Sequence, residues 1–328
     1  MGDDSKNAVR VAVIGVGHFG RLHARKLANM PGVNLVAIAD ADGARAESLA
    51  EELGVDAVDD YRALEKRVDA VSVAVTTAAH HEVAAFFLDA GADVFVEKPI
   101  AATLQQADDL IAKARKSKAI LQVGHIERFG GLYNALREAI HQPLFIEAVR
   151  ISPFAERGTD ISVVLDVMIH DIDLILGLAG AGLQSAEAVG GPVFSANDDI
   201  ANARLMFANG CVANLTASRI SLKKERRMRF FQNDSYVAVD FDHKSLRIVR
   251  RDDNSNTGGL PVDFQDVQIS DSDALYEELE SFLACVRERG APAVSGQAGR
   301  EALAAAIMIA ESLQAHHDLL RKSGLIHD

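Results

Sequence analysis

Apolar and polar positions follow two different rhythms along this chain. In the first, short unbroken apolar runs are separated by stretches of helical period. Residues 11–14 (Val-Ala-Val-Ile) form a β-branched run typical of a fully buried strand. Residues 21–30 then place apolar side chains at helical spacing and end at Met30-Pro31-Gly32, and residues 33–39 are a second apolar strand closing at Asp40. The pattern repeats with a helix over 44–53 ended by Gly54, a strand over 55–58, a helical turn over 59–64 and a strand over 68–75. A helix over 82–90 ended by Gly91, a strand over 93–96, a helix capped by Thr103 and running to Lys118, and a strand over 119–123 complete it. Strand alternating with helix predicts an α/β fold with a doubly wound parallel sheet. Crossovers in such a sheet are right-handed and ligands gather at the carboxyl ends of the strands.

The second rhythm starts near residue 125. Helix 131–141, strand 145–152 and a long apolar helix over 161–179 precede strand-like runs at 185–193, 200–207, 211–218, 226–231, 236–241 and 246–249. Ala208-Asn209-Gly210 between two of them is a strong hairpin signal. Residues 252–259 read as a polar loop, and 275–289 and 300–320 as helices. This predicts an α+β domain on a largely antiparallel open sheet, dividing the chain into a Rossmann domain over 1–124 and a substrate-binding, oligomerising domain over 125–328. Only one face of that sheet can pack on the domain's own helices. An open, partly apolar face usually marks association, so a homodimer or homotetramer through it is expected.

Composition narrows the class. At 328 residues the chain accommodates two domains of roughly 100–200 residues each. A net charge of −13 argues against nucleic-acid or anionic-membrane partners. No apolar run approaches the ~18 residues of a membrane span, and the polar, acidic first residues are not a secretory signal, so a cytoplasmic protein is expected. Cys211 and Cys285 have neither metal-ligand nor disulfide spacing and read as inert packing residues, and no metal site is evident.

Chemistry enters at the first turn. Gly15-Val16-Gly17-His18-Phe19-Gly20 has the G-x-G-x-x-G spacing between a strand and a helix. Gly15 would allow the tight turn, Gly17 the approach of a pyrophosphate, and Gly20 close helix–strand packing, with the helix start receiving the phosphates. Asp40, about 20 residues on, is placed to accept from the adenosine ribose hydroxyls. A carboxylate there repels the extra phosphate of NADP, and Arg45 most simply lies on the next helix, so NAD is the expected cofactor. Thr76, Thr77, Lys98 and His125 fall at or just after strand carboxyl ends.

Lys98 reads either as a surface lysine or as a cation that binds a substrate hydroxyl and stabilises alkoxide charge. Asp166 and His170, four apart in an apolar helix, share one face, and a general base near neutral pH would account for burying them. Asp171 and Asp173 read as solvated acids. His80 and His81 follow a strand end and line a groove or start a helix. The run Lys223 to Arg229 reads as a solvated strand face or an oligomer contact before a phosphate site. No Ser-His-Asp constellation, Walker loop or zinc spacing is evident.

Together these residues resemble the glucose–fructose oxidoreductase / inositol dehydrogenase / MocA family, from the dinucleotide turn to Val294-Ser295-Gly296. Glu97-Lys98-Pro99 matches the family's Glu-Lys-Pro with its catalytic lysine. Asp166-x-x-x-His170 with Asp173 looks like the family's pair, the histidine as general acid/base and the aspartate orienting it or the substrate. Residues 74–83 resemble the segment after the fourth strand, with His80 at the usual histidine, while Thr76 and Thr77 stand where Pro and Asn are commoner. A glycine-rich lead-in to the aspartate is replaced by residues 161–165. Residues 123–129 look most like bacterial members that oxidise the 3-hydroxyl of UDP-N-acetylglucosamine before transamination, and inositol dehydrogenase is the rival because residues 166–173 also resemble its site.

The resemblance implies an NAD-dependent dehydrogenase of a secondary sugar hydroxyl. His170 takes the proton, Lys98 steadies the alkoxide, Asp166 orients, and Arg128 meets substrate oxygens or phosphate, with His125 nearby. Gly15, Gly17, His18, Phe19, Gly20, Asp40, Thr76, Thr77, His80, Glu97 and Lys98 are the implied cofactor contacts. The alternative in a different class is an NAD- or sugar-sensing module without turnover, against which an intact Lys98, Asp166 and His170 argue.

Overall fold

The computed structural model describes residues 8–155, 161–251, 262–269 and 272–325. The chain divides into two compact units, residues up to 126 with Asp273–Leu303, and Glu127–Ser272 with the residues from Ala304 onward.

The first unit holds β1 (Val9–Ile14), α1 (His18–Leu27), β2 (Val33–Ala39), α2 (Gly43–Leu53), β3 (Asp56–Val58), β4 (Ala70–Val73), α3 (Thr77–Asp89), β5 (Asp93–Glu97), α4 (Leu104–Ser117) and β6 (Leu121–Gly124). All its strand pairs are parallel, in the order β3-β2-β1-β4-β5-β6. The unbroken apolar strands are explained by burial on both sides, since Val11, Ala12 and Val13 are wholly enclosed. Strand order reverses between β1 and β4, and such a switch point opens a crevice at the strand carboxyl ends. Ala74 N–H donating to Ile14 O at 2.8 Å and Gly15 N–H to Ala39 O at 2.7 Å bring the ends of β1, β2 and β4 together there.

Two expectations for this half need correction. The helix expected from residue 82 starts at Thr77, because the polar-to-small stretch Thr-Ala-Ala-His gives no apolar rhythm yet follows the strand directly. The second domain expected over 125–328 is not continuous. Helix α7 (Ala274–Glu288) packs Leu279, Phe282 and Leu283 into one core with Val11, Val13 and Phe95, the rings of Phe95 and Phe282 lying 5.8 Å apart. Arg287 donates to Pro31 O at 2.8 Å and Arg289 to Asp93 at 2.6 Å. The start of α8 (Gly296–Lys322) also joins the first unit, where a Cβ on Gly299 would stand 2.6 Å from Val123. The amphipathic face of a helix is legible in sequence, but not the sheet it will cover.

The second unit holds α5 (Gly131–Ala139), β7 (Phe145–Ile151), α6 (Ile169–Leu178), β8 (Leu183–Gly191), β9 (Ile200–Phe207), β10 (Val212–Ser218), β11 (Glu225–Phe231), β12 (Ser235–Asp240), β13 (Ser245–Arg251) and β14 (Val262–Gln268). Its sheet runs β14-β13-β12-β11-β7-β10-β9-β8, antiparallel except for β7 with β10. Strict alternation along β9 turns Ala201, Ala203, Leu205 and Phe207 to the helices and leaves Ile200, Asn202, Arg204 and Met206 outside. Strand β14 was not expected, because most of its residues are exposed and an edge strand of that kind carries no alternation. The polar loop expected over 252–259 lies outside the described residues.

The helix expected over 161–179 is interrupted in kind. Val164–Met168 is π-helical and leads into α6. Its entry is fixed by Arg219, which donates to Ile161 O at 2.9 Å and pairs with buried Asp199 at 2.8 Å, and by Val163 N–H on Asp198 O at 2.9 Å. Burial alone would raise the Asp199 carboxyl, but Arg219 and the N–H groups of Phe194 and Ser195 outweigh it and hold it well below the ordinary carboxylate range.

Candidate active site

The three glycines at the end of β1 divide the work by geometry. Gly15 has φ of +84°, and a Cβ there would lie 2.8 Å from Ala74 O. A Cβ on Gly20 would fall 1.8 Å from Gly15 O, so only glycine lets α1 pack this close to the turn. At Gly17 a Cβ would meet no described heavy atom within 4 Å. The surrounding protein does not sterically require glycine there, and the open space fits the close approach of a pyrophosphate to the backbone. Gly17 caps α1 without a side-chain hydrogen bond, as a glycine must, and the start of that helix carries the positive end of its dipole. His18 and Phe19 are exposed on this turn, ring edge to face at 5.4 Å.

This division makes a prediction. Gly17→Ala should keep the thermal midpoint of the free protein while weakening dinucleotide binding, and Gly20→Ala should lower stability by about 1–3 kcal/mol or more, as forced overpacking does. Thermal melts with and without NAD check it, and equal melting loss in both variants would overturn it.

Asp40 lies at the mouth of the same crevice. Its Oδ2 accepts the N–H of Val16 at 2.7 Å and its Oδ1 that of Asp42 at 2.9 Å. The carboxylate therefore orders the glycine turn as well as facing the cavity. That cavity, about 620 Å³, is lined by Gly15, Gly17, Asp40, Val75 and Thr76 from the strand ends and by Tyr61 and Arg62 from the turn after β3. The guanidinium of Arg62 stands 4.6 Å over the ring of Tyr61. Neither residue was singled out in the sequence, and no motif marks them. Arg45 is on α2 as expected, yet it reaches back to within 3.6 Å of Asp40 Oδ2. Thr77 opens α3 behind Thr76. The open turn, the exposed helix start and the acid at the end of β2 fit a dinucleotide.

Glu97 closes β5 and Lys98 and Pro99 follow it, both Glu97 and Lys98 being partly exposed. Burial pushes the Glu97 carboxyl up, but the His23 imidazole 3.1 Å away and the neighbouring Lys98 outweigh it and hold it below the usual range. His80 is buried, its Nδ1 2.8 Å from Pro99 O, and desolvation lowers its pKa. It braces the backbone beyond Lys98 and does not face open space, whereas the sequence suggested a cofactor contact. His125 is likewise buried, one residue past β6. His81 pairs with Asp109 at 2.8 Å.

On the second unit Asp166 sits in the π-helical stretch and His170 in the first turn of α6, both half-buried. Short π segments recur at functional sites because the wider turn re-aims side chains. Asp171 and Asp173 correct the sequence reading, since both are buried and paired. Asp171 meets Arg150 at 2.7 Å, and Arg150 also donates to Glu127 at 3.0 Å. Arg128 grips Asp173 through Nε at 2.7 Å and Nη2 at 2.8 Å. A guanidinium so committed braces α6; the resemblance had implied that Arg128 meets substrate oxygens or phosphate. Paired too is the basic run: Lys223 with Glu225, Lys224 with Asp242, Arg227 with Asp240 and Arg229 with Glu147. This neutralises the strand face. Burial pushes the Cys211 thiol up to about 11, in keeping with an unreactive packing residue.

A dinucleotide crevice on a doubly wound sheet, followed by a Glu-Lys-Pro strand end and a second α+β unit, defines an NAD-dependent oxidoreductase. The chain belongs to the GFO/IDH/MocA oxidoreductase family: residues 9–125 match its NAD-binding Rossmann fold model and residues 147–235 its C-terminal domain model. It is 38% identical to UDP-N-acetylglucosamine 3-dehydrogenase of Acidithiobacillus ferrooxidans over 94% of this chain and 98% of that one. The solved structure of that enzyme superposes with a TM-score of 0.89 over the same shares. Myo-inositol 2-dehydrogenase of Thermotoga maritima is 27% identical over 93% of this chain and 96% of its own. No helix among the described residues is long and apolar enough to cross a membrane.

Proposed function

We propose that this dehydrogenase oxidises the 3-hydroxyl of UDP-N-acetylglucosamine. The observation that carries the reading is the near full-length likeness to the dehydrogenase of that substrate at 38% identity, against 27% for the inositol enzyme. Bound NAD supplies the hydride acceptor. The glycine turn and the start of α1 hold its pyrophosphate and Asp40 its adenosine ribose. His170 accepts the proton of the sugar hydroxyl, Asp166 orients the imidazole or the sugar, and Lys98 donates to the oxygen as negative charge develops on it. Absorbance of the reduced cofactor during incubation with UDP-N-acetylglucosamine, free N-acetylglucosamine and myo-inositol tests the assignment. Turnover with the nucleotide sugar is expected. Turnover with inositol alone would overturn it, and tight NAD binding without reduction by any of them would restore the sensing module.

Self-association belongs to the same reading. Strand register lines up Met206, Val212, Phe145, Phe231, Tyr236, Val249 and Phe264 in one row across the open face of the second sheet. The rings of Phe145, Phe231 and Tyr236 pack tilted against one another at 5.6 and 5.1 Å, and Phe264 is 61% exposed. An apolar row of this length favours cover by a second copy of the sheet. Sedimentation at micromolar concentration should show a dimer or tetramer that Phe231→Asp weakens. A species of only 35.2 kDa would refute it.

A further inference from the structure

His23 is wholly buried in α1, within the first unit, and had no place in the sequence reading. Its Nδ1 lies 2.8 Å from Ser72 Oγ on β4 and its Nε2 3.1 Å from Glu97 Oε1 at the end of β5. The ring also packs edge-on against Phe95 at 5.4 Å. Nε2 stands within ion-pair distance of Glu97 Oε1 but off hydrogen-bond geometry; because a carboxylate can only accept, the proton belongs on Nε2, and the Ser72 hydroxyl then donates into Nδ1. Serine, histidine and acid are the components of a hydrolytic triad, but Ser72 is 1% exposed and donates its proton inward, so it is no nucleophile.

The chain Ser72–His23–Glu97 ends at the strand carrying Lys98. Glu97 Oε2 accepts the backbone N–H of Lys98 at 3.3 Å. A Cβ on Gly124 would stand 3.1 Å from the Glu97 carboxylate, so glycine there lets that side chain lie against bare backbone of β6. From α3, His80 holds Pro99 O at 2.8 Å. Two buried imidazoles on different helices thus brace the residues on either side of Lys98.

We propose that His23 is a positioning residue of the dehydrogenase: acting through Glu97, it fixes the backbone from which Lys98 departs and so the place of the lysine ammonium. This rests on the reading of Lys98 as the donor to the substrate oxygen. The titratable groups facing Glu97 are His23 from α1, His80 from α3 and Lys98 itself, while Ser72 on β4 and Gly124 on β6 bring none. Without His23 one of the influences that offset burial is lost, and the Glu97 carboxyl shifts upward.

The test compares His23→Phe, His23→Gln, Ser72→Ala and Lys98→Met in the full chain, reading kcat, KM, NAD dissociation constant, melting temperature and the pH dependence of kcat. His23→Phe should lose about 10²-fold in kcat, the scale of an ångström-sized misplacement, with NAD affinity nearly kept. Its kcat should also fall with acid from a higher pH than in the unaltered protein. His23→Gln, which returns an N–H donor near the position of Nε2, should recover most of the rate. Equal losses in the Phe and Gln variants, or an unchanged pH profile in a folded His23→Phe, overturns the inference. If the Phe variant does not fold, Ser72→Ala carries the test, with a smaller loss and the same displaced acid limb expected and an unmoved profile overturning it. Near-normal turnover in Lys98→Met would overturn the reading of Lys98 and this inference with it, whereas an inactive Lys98→Met beside an unaffected His23→Phe overturns this inference alone.

Discussion

Asp40→Ser should bring NADP affinity up toward that of NAD by about 10–10²-fold, from an unaltered protein that prefers NAD. The size follows from placing a 2′-phosphate beside the carboxylate. Two unit charges 4 Å apart repel by about 1 kcal/mol in water and about 4 kcal/mol at the effective dielectric of a protein surface. The structure adds a second contribution. Arg45 stands 3.6 Å from Asp40 Oδ2 through Nη1 and 3.1 Å from Asp42 through Nη2, so removing the first carboxylate releases Nη1 toward an incoming phosphate. NAD itself should bind less well to the variant, because Asp40 also accepts from Val16 N–H and from Asp42 N–H and so orders the turn. Arg45→Ala added to Asp40→Ser should cancel the NADP gain and leave the NAD loss. The four dissociation constants decide it, and an unaltered protein that binds NADP as tightly as NAD would overturn the argument.

How much of this was legible beforehand depends on whether the signal is local. The glycine turn is local: strand, spacing and helix start lie within twenty residues, and the structure finds Gly15 and Gly20 sterically required and open space at Gly17. The alternation of β9 is equally local, because a half-buried strand repeats every two residues. What failed to show depends on partners far along the chain. Asp171 and Asp173 read as solvated because acids usually are, and nothing near them announces Arg150 and Arg128, which keep them buried. Likewise α7 shows an apolar face but not that the face belongs to Val11, Val13 and Phe95.

The site shows the same split. Lys98, Asp166 and His170 stand out because their residue types are costly to place without a purpose. His23 does not, since a histidine on the inner face of an amphipathic helix is an ordinary core residue until Ser72 and Glu97 are seen beside it. Arg45 was assigned to its helix correctly, but its reach back to Asp40 is a side-chain matter that no spacing rule supplies. The π-helical stretch at Val164–Met168 is a further case, since its sequence has the apolar density of any buried helix.

His170→Ala should lower turnover by about 10²–10⁴-fold, the usual range for loss of a general base. Lys98→Met should cost about 10²–10³-fold, as removal of a charge-stabilising donor does. NAD affinity should survive both, because the glycine turn and Asp40 proposed to hold the dinucleotide are left intact. If the two residues serve one proton transfer, the double variant loses far less than the product of the single losses, since a step already deprived of its base gains little from stabilising the oxygen. Multiplying losses would instead assign them to separate steps. In the oxidation direction turnover should fall on the acid side, where a protonated His170 can no longer accept, and His170→Ala should flatten that limb. Residual rate in His170→Ala is then set by water as the base and should rise with pH. Single-turnover hydride transfer, measured with NAD affinity for each variant across pH, separates chemistry from binding and product release. Transfer near the unaltered rate in His170→Ala would make this histidine a packing residue of α6 and move the base to another group.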